Sequence, residues 1–467
     1  MAYCPKKLIQ HGYSFDFTDA TVVEWIATDV SSDSQNQRFI LADEHISDSL
    51  HRAVPAIYAD VVDVAAAIHF ADRLSVRGSG NHGWARELKL KVPVRCLDQW
   101  LSAPLRDALF SALRFITQDH WQLDFYQRVN PGRSSETQEH LFTGQGDEDC
   151  EVCLYSGGLD SFAGLAAAVS RRPDSRFLCV SVTGNFRQRQ RQREQLALLQ
   201  RTFQTKVTHI PVEYRLVKAE QGRQERTRRT HGLLFLLIGG VAALIAGRSQ
   251  LKIYENGIGA INLPFDGSQI GIDNSRSVNP ITLFLVSRVL TLIAEKPFSI
   301  QNECLYLTKA EMCRDSAVKK AAVGIRSTFS CDGFPVRRRQ YAQCGFCTSC
   351  VLRRQALEAS AMSVHDADDY GCDLTTDRPF LSHHLRGLRA MNIQRARFEE
   401  AFRSSDPWTA LTFAFPELRR AADALSVGEN PGEVRARLIH LYQQHVEDWR
   451  NFSAVKNLES QPMLSVA

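Results

Sequence analysis

The sequence predicts an α/β protein. A parallel sheet with helices on both faces forms the middle, an N-terminal α+β region precedes it, and a helical C-terminal region with a zinc-binding loop follows. Three observations carry this. Strands and helices alternate from about residue 149, the pattern of a parallel sheet with crossover helices. Two segments before that point, 87–94 and 120–127, alternate apolar and polar residues strictly, as half-buried strands do. From about Ala356 onward the segments mix apolar and charged residues with no strand alternation.

The first unit spans residues 1–130. Residues 61–74 have helical periodicity, and 102–117 read as a second helix. Leu88, Leu90, Val92 and Val94 share one face of the strand 87–94; Trp121, Leu123 and Phe125 share one face of 120–127. No catalytic constellation stands out here. His11, His45, His51, His69 and His82 are scattered, and the sequence predicts surface or internally satisfied rings rather than ligands. Residues 131–148 are polar and glycine-rich, a linker by composition. In the unit 149–365, strands are expected at 152–155, 176–183, 206–212 and 251–255, with helices at 162–170, 188–203, 231–248 and 280–295. Ligands of such sheets bind outside the carboxyl ends of the strands, so the loops after residues 155 and 255 should meet at the site. Residues 366–467 form the helical region, with helices over 393–403 and 433–452, the latter opened by Asn430-Pro431-Gly432.

Composition narrows the class. The chain has 467 residues, 44% hydrophobic and 23% charged, as soluble globular proteins have. Its net charge of +4 argues neither for nor against nucleic acid. The longest apolar run, 232–246, is too short to span a bilayer. The first residues lack the apolar core of an export signal. Twelve cysteines without such a signal fit a reducing cytoplasm, where clustered thiols are metal ligands before they are disulfides.

The chemistry concentrates in Ser156-Gly157-Gly158-Leu159-Asp160-Ser161, between an apolar strand and a helix. Glycines let the backbone approach an anion closely. The helix start turns free N–H groups and its positive dipole end toward that anion. Asp160 or Ser161 can cap, contact phosphate or hold a metal. No Gly-Lys-Ser/Thr follows, so this is not a Walker loop. A second constellation is Cys344-Gly-Phe-Cys347-Thr-Ser-Cys350 with Cys331 upstream and Arg337-Arg338-Arg339 between. Four thiolates complete a closed tetrahedral zinc shell; an iron–sulfur cluster and a redox pair are the alternatives. From Arg187 to Arg229 the chain is strongly basic. Arg187, Arg189, Arg191 and Arg193 alternate with glutamine, so half should fall on each side of a helix, either as a solvated face or as phosphate or partner contacts.

The hexapeptide resembles the PP-loop of the ATP pyrophosphatase superfamily, whose members cleave ATP to AMP and pyrophosphate. Together with Cys344-Gly-Phe-Cys347-Thr-Ser-Cys350-Val-Leu-Arg353 and the segment Leu305-Tyr306-Leu307-Thr308-Lys309-Ala310-Glu311-Met312, it resembles the 7-cyano-7-deazaguanine synthase family, QueC, over about residues 148–365. The resemblance implies a PP-loop fold of the HUP type, ATP with magnesium, zinc on Cys331, Cys344, Cys347 and Cys350, and a deazapurine carboxylate substrate activated as an adenylate. It puts ATP on Ser156, Gly157, Gly158, Leu159, Asp160 and Ser161, with Asp160, Ser161 and Lys309 catalytic and Asp160 the magnesium ligand. Arg228, Arg229 and His231, near the next helix start, are expected either to reach phosphate or substrate or to lie on the surface, and substrate contacts are expected from Arg229, His231, Glu255, Asn256, Gly257 and Asn262.

Several segments depart from the stand-alone synthase. They are 185–190, 230–232, 255–264 and 274–277, together with the added N- and C-terminal regions. These features are more similar to the longer QueC-like proteins of bacterial anti-phage operons. They point to a cytoplasmic ligase with a protein partner from the same operon, no membrane and no nucleic-acid partner. Ammonia or a protein amine would accept the activated acid. The alternatives are stand-alone nitrile synthesis for queuosine, a PP-loop enzyme modifying tRNA, and a nucleotide-sensing scaffold.

Overall fold

The computed structural model describes residues 9–18, 24–29, 37–77, 85–129, 136, 150–217, 224–225, 227–265, 275–333, 343–366, 370–374, 384–450 and 452–454. The arginine run 337–339, His82, Asn274 and most of the expected linker 131–148 lie outside the described residues.

One ten-stranded sheet organises the chain. Its strands are β1 (Ile9–Thr18), β2 (Glu24–Asp29), β3 (Gln37–Ala42), β4 (Arg86–Val94), β5 (His120–Gln127), β6 (Cys150–Leu154), β7 (Arg176–Thr183), β8 (Lys206–Val217), β9 (Gln250–Ile253) and β10 (Ser299–Asn302). Their spatial order is β10-β9-β6-β7-β8-β3-β2-β1-β4-β5. The block β10-β9-β6-β7-β8 is parallel throughout. β3 joins β8 antiparallel, Phe39 opposite Leu216. β2 and β1 continue antiparallel, then β4 and β5 run parallel to β1.

Side chains alternate across a strand, so the two faces of the parallel block can be read residue by residue. Leu178, Val180 and Val182 of β7 enter one core. Phe177 and Cys179 enter the other. The strand is buried on both sides, as central parallel strands are. The first core is covered by α2 (Ala56–Leu74), α4 (Ala103–Thr117), α7 (His231–Ile245) and α9 (Pro280–Ala294). The second is covered by α5 (Leu159–Arg171), α6 (Phe186–Phe203) and the short helices α10 (Lys309–Arg314) and α11 (Ser316–Lys320). The remaining helices of the first region, α1 (Glu44–Leu50) and α3 (Leu97–Leu101), are short.

After α12 (Thr348–Ala359) the described elements are mostly helices: α13 (Arg386–Phe402), α14 (Pro407–Ala414), α15 (Pro416–Leu425) and α16 (Pro431–Trp449). These close a third core around Phe398, Phe415 and Leu438 against Ile261 and Leu305. No helix among the described residues is long and apolar enough to cross a membrane.

The sequence reading treats residues 1–130 as a first unit. In the structure its five strands are part of the same sheet, and Phe15, Phe39 and Phe70 lie in one continuous core with Val180 and Leu237. The strands β1 to β3 have no counterpart in the sequence reading. Their join to β8 is long-range and leaves no local signature.

Charged residues fix how α2 lies on the sheet. Arg86, fully buried, bonds Asp72 of α2 at 2.5 Å and Asp119 at 2.6 Å. Asp119 also takes Arg77 at 2.8 Å. Removing one partner of such a pair leaves a buried charge uncompensated, at a cost of about 3–5 kcal/mol. Arg86→Ala should therefore lose about that much stability in urea denaturation. Lys89→Ala, which breaks the exposed pair with Glu87, should lose about 1 kcal/mol or less.

Candidate active site and metal centre

The strand β6 ends at Leu154, and Ser156-Gly157-Gly158 turns the chain into α5. Gly157 adopts φ +81°, a conformation that glycine tolerates and side chains resist. A Cβ there would also meet Gln192 Cγ at 2.9 Å and the Phe329 ring at 3.1 Å. The loop is braced from within: Ser156 and Ser161 hydroxyls lie 2.8 Å apart, and Gly158 N–H donates to Ser156 Oγ at 3.1 Å. Gly158 stands at the N-cap of α5, where no side chain caps the helix. The first-turn donors are thus left for an external acceptor.

Three glutamines hold the loop from outside. Gln192 Nε2 donates to Ser156 O at 2.8 Å, Gln195 Nε2 to Gly157 O at 3.2 Å, and Gln188 Nε2 to Ser156 O at 3.3 Å. They sit at i, i+4 and i+7 on α6 and so share one face. Two of the arginines between them make other contacts. Arg189 pairs with Glu213, and Arg191 donates to Ser327 O at 3.4 Å. The signal lies in the 188, 192, 195 spacing, hidden by the louder run of charge.

Beneath the loop lies a buried charge cluster. Asp160 Oδ2 receives Lys309 Nζ at 2.8 Å and Asn256 Nδ2 at 3.0 Å. Lys309 opens α10 just after Thr308, whose side chain and Glu311 form a reciprocal capping box. The Glu255 carboxyl accepts Asn256 Nδ2 at 3.3 Å, so the two acids share that amide. Burial and then the Asp160 charge push the Glu255 carboxyl well up. Asp160, also desolvated, is nevertheless held below the usual carboxylate range by Lys309. The two acids are thus driven apart, Asp160 toward the ionised form and Glu255 toward the protonated one.

The loop borders a cleft of about 440 Å³ at the carboxyl ends of β6, β7 and β8. Ser156 and Gly158 form one end with Thr183, Asn185 and Gln188. His69, Phe70 and Arg73 of α2 form the other with Tyr214, Arg228 and His231. His231 Nε2 lies 2.9 Å from Tyr214 Oη, and His69 Nδ1 lies 3.1 Å from Thr230 Oγ1.

The expected site residues thus separate into groups. Ser156, Gly158 and His231 line the cleft. Asp160, Glu255, Asn256 and Lys309 meet beneath it. Leu159 is a core residue. Gly257 is packed, with a Cβ position only 2.0 Å from Leu305 O. Arg229 is buried and does not line the cleft, whereas its neighbour Arg228 does. Asn262 caps the short helix α8 (Gly257–Ile261) in a left-handed conformation and donates to Ser275 O at 3.0 Å, away from the cleft. Sequence reasoning misses His69 and Arg73, because nothing local in 56–74 distinguishes them from core and surface positions.

The candidate metal site adjoins the cleft through Cys331. The sulfurs of Cys331, Cys344, Cys347 and Cys350 all lie within 4.8 Å of one another, and those of Cys344 and Cys350 are 3.9 Å apart. Tetrahedral zinc with Zn–S bonds of about 2.3 Å separates its sulfurs by roughly 3.8 Å, so the set fits a metal such as zinc. Cys347 N–H donates to Cys344 Sγ at 3.3 Å, as a turn built around a metal-bound thiolate does. Arg353, fully buried, ties the knuckle to the body. It donates to Thr328 Oγ1 at 2.6 Å, Ile325 O at 3.0 Å and Asp366 at 2.8 Å.

Purified protein should carry about one zinc per chain and no iron. Cys347→Ser should lose the metal and lower the melting temperature; an iron–sulfur absorbance band, or metal-free protein melting unchanged, would count against this. The acid pair gives a second expectation. Glu255, driven toward the protonated form when folded, binds a proton that the unfolded chain releases at the ordinary glutamate pKa. Its contribution is present below that value and is lost as pH rises through the raised folded value. Glu255→Gln, which mimics the protonated acid, should flatten this fall, so its melting temperature should exceed that of the wild type most at alkaline pH. A mutant whose melting profile runs parallel to the wild type from about pH 5 to 9 would contradict it.

Compared with models of known protein families the chain matches none, and no curated protein sequence matches it.

Proposed function

We propose that the protein is an ATP-dependent ligase that adenylates the carboxylate of a 7-deazaguanine, 7-carboxy-7-deazaguanine, and passes the acyl group to an amine. The observation that carries this reading is the uncapped start of α5 behind Ser156-Gly157-Gly158, opening on a cleft at the carboxyl ends of parallel strands. Such a helix start suits phosphate. With the β- and γ-phosphates held there, the α-phosphorus stays open to a nucleophile lying along the cleft. A carboxylate oxygen attacks that phosphorus, the bond to the bridging oxygen of pyrophosphate breaks, and pyrophosphate leaves. The amine nitrogen then attacks the acyl carbon, and AMP departs with the original carboxylate oxygen. Little covalent work falls to the protein, whose task is positioning and charge neutralisation.

Asp160 and Lys309 serve this reading from below. Their ion pair and Asn256 fix the first turn of α5. Magnesium would enter with the nucleotide. Lys309 and Asn256 both bond Asp160 Oδ2, and the buried Oδ1 has no hydrogen-bond partner among the described residues, so that oxygen is the one with which Asp160 would hold magnesium. The acceptor amine is ammonia or the N-terminus of a protein partner encoded in the same operon. A protein acceptor fits a role in anti-phage defence.

With 7-carboxy-7-deazaguanine, ATP and magnesium, the protein should release AMP and pyrophosphate, not ADP and phosphate. Substrate labelled with ¹⁸O in its carboxylate should pass label to AMP. Removing one well-placed electrostatic contact costs on the order of 10²–10³ in rate. Gly157→Val, which places a Cβ against Phe329 and Gln192 in a strained conformation, should cost at least that. Turnover that yields ADP alone, or AMP free of label, would rule out an acyl adenylate.

A further inference from the structure

The end of the cleft remote from the glycine loop has its own chemistry. The loop follows β6, whereas Tyr214 and the Arg228–His231 turn stand over β8, two strands away. At a strand spacing of about 4.8 Å this separates the two ends by roughly 10 Å. Two guanidiniums face this far end, Arg73 from α2 and Arg228 from the turn before α7. Arg73 donates to Gln224 Oε1 at 2.7 Å and to the carbonyl of Glu225. The Arg228 side chain has no hydrogen bond or ion pair among the described residues. The nearby carboxylates are committed elsewhere. Asp72 takes Arg86 and Thr230, and Glu225 accepts the backbone N–H groups of Arg77 and Thr227.

Burial, and next the Arg228 charge, hold the Arg73 guanidinium below its ordinary range. Two like charges are thus crowded in a cleft with no carboxylate bridging them among the described residues, an arrangement that favours a bound anion. Arg228 also sits at φ +47°, left-handed for a residue with a side chain. Strain of this kind persists where surrounding structure enforces it and gathers at binding sites. Around the guanidiniums stand ring faces: His69 and Tyr214 meet edge-on at 5.3 Å, and His69 and His231 lie 5.5 Å apart. Burial, followed by the neighbouring arginines, pushes His69 down to about 3, so that ring is neutral.

We propose that this far end is a subsite for a planar aromatic acid, whose carboxylate is received by Arg73 and Arg228 and whose ring packs among His69, Tyr214 and His231. The inference rests on the reading that the cleft joins ATP to an acid. It also makes α2, a helix of the N-terminal region, the determinant of which acid enters. A carboxylate is favoured over a nucleotide phosphate because the loop end already supplies phosphate donors and the far end is walled by rings.

The test measures equilibrium binding of 7-carboxy-7-deazaguanine, benzoate, nicotinate and ATP to wild type, Arg228→Gly and Arg73→Gln. Losing a charge-assisted hydrogen bond should weaken acid binding on the order of 10- to 100-fold in either variant and leave ATP affinity within about twofold. Arg228→Gly should melt at or above the wild-type temperature, since it relieves the left-handed strain, so that variant separates binding from folding. Unchanged acid affinity in both variants overturns the inference. So does a parallel loss of ATP affinity, which would make the pair a phosphate contact, and so does wild type that binds none of the three acids. If benzoate or nicotinate binds in an Arg228-dependent way but 7-carboxy-7-deazaguanine does not, the subsite stands and the proposed substrate falls.

Discussion

One buried carboxylate sets most of the geometry described above. Asp72, at the end of α2, accepts Arg86 of β4 on one oxygen and Thr230 N–H and Oγ1 on the other. Through Arg86 it is coupled to Asp119 and the outer strands; through Thr230 it fixes the start of α7. Thr230 in turn meets His69, and the residue after it is His231. A single side chain therefore locks together the outer half of the sheet, the helix that covers it and the turn that forms one end of the cleft. Each contact is charge-assisted and buried, so each is costly to leave unmade.

The opposite end of the cleft follows the same logic with weaker, more numerous bonds. Three amides on α6 donate to three consecutive carbonyls, those of Tyr155, Ser156 and Gly157. Asp160, Lys309 and Asn256 hold the helix start beneath them. Phe329 completes the brace. Its N–H donates to Gly157 O at 3.4 Å, and its ring closes over Gly157, two residues before Cys331 of the cysteine cluster. The cysteine cluster is consequently not a remote staple. Whatever fixes Cys331 also limits how far the loop can shift.

Much of this is legible in the sequence where signals are local. The strands 176–183 and 120–127 have the bounds that alternation and apolar runs assign them, and the helix starting at His231 begins where expected. The four cysteines declare themselves by spacing. What escapes is what only tertiary structure brings together. His69 is one of several scattered histidines until the fold sets α2 against Tyr214 of β8. Of the two candidates Arg228 and Arg229 only Arg228 lines the cleft, at a left-handed residue in the turn, and nothing in the polar run Thr227-Arg228-Arg229-Thr230 decides between them. The strands β1 to β3 pair with partners far along the chain, so neither period nor turn chemistry marks their place.

The seam between β3 and β8 has a consequence for how the molecule is made. Phe39 of β3 stacks on Phe70 of α2 at 3.8 Å and faces Leu216 across the seam. The N-terminal strands leave the ribosome long before β8 exists. At typical synthesis rates the wait is on the order of ten seconds or more. Through that interval β3 presents an open edge of unpaired backbone groups beside an apolar core, the kind of edge that recruits other strands. Long-range pairing of this sort also slows folding. The protein's yield in a cell should accordingly depend on how well that nascent edge is shielded until its partner strand emerges.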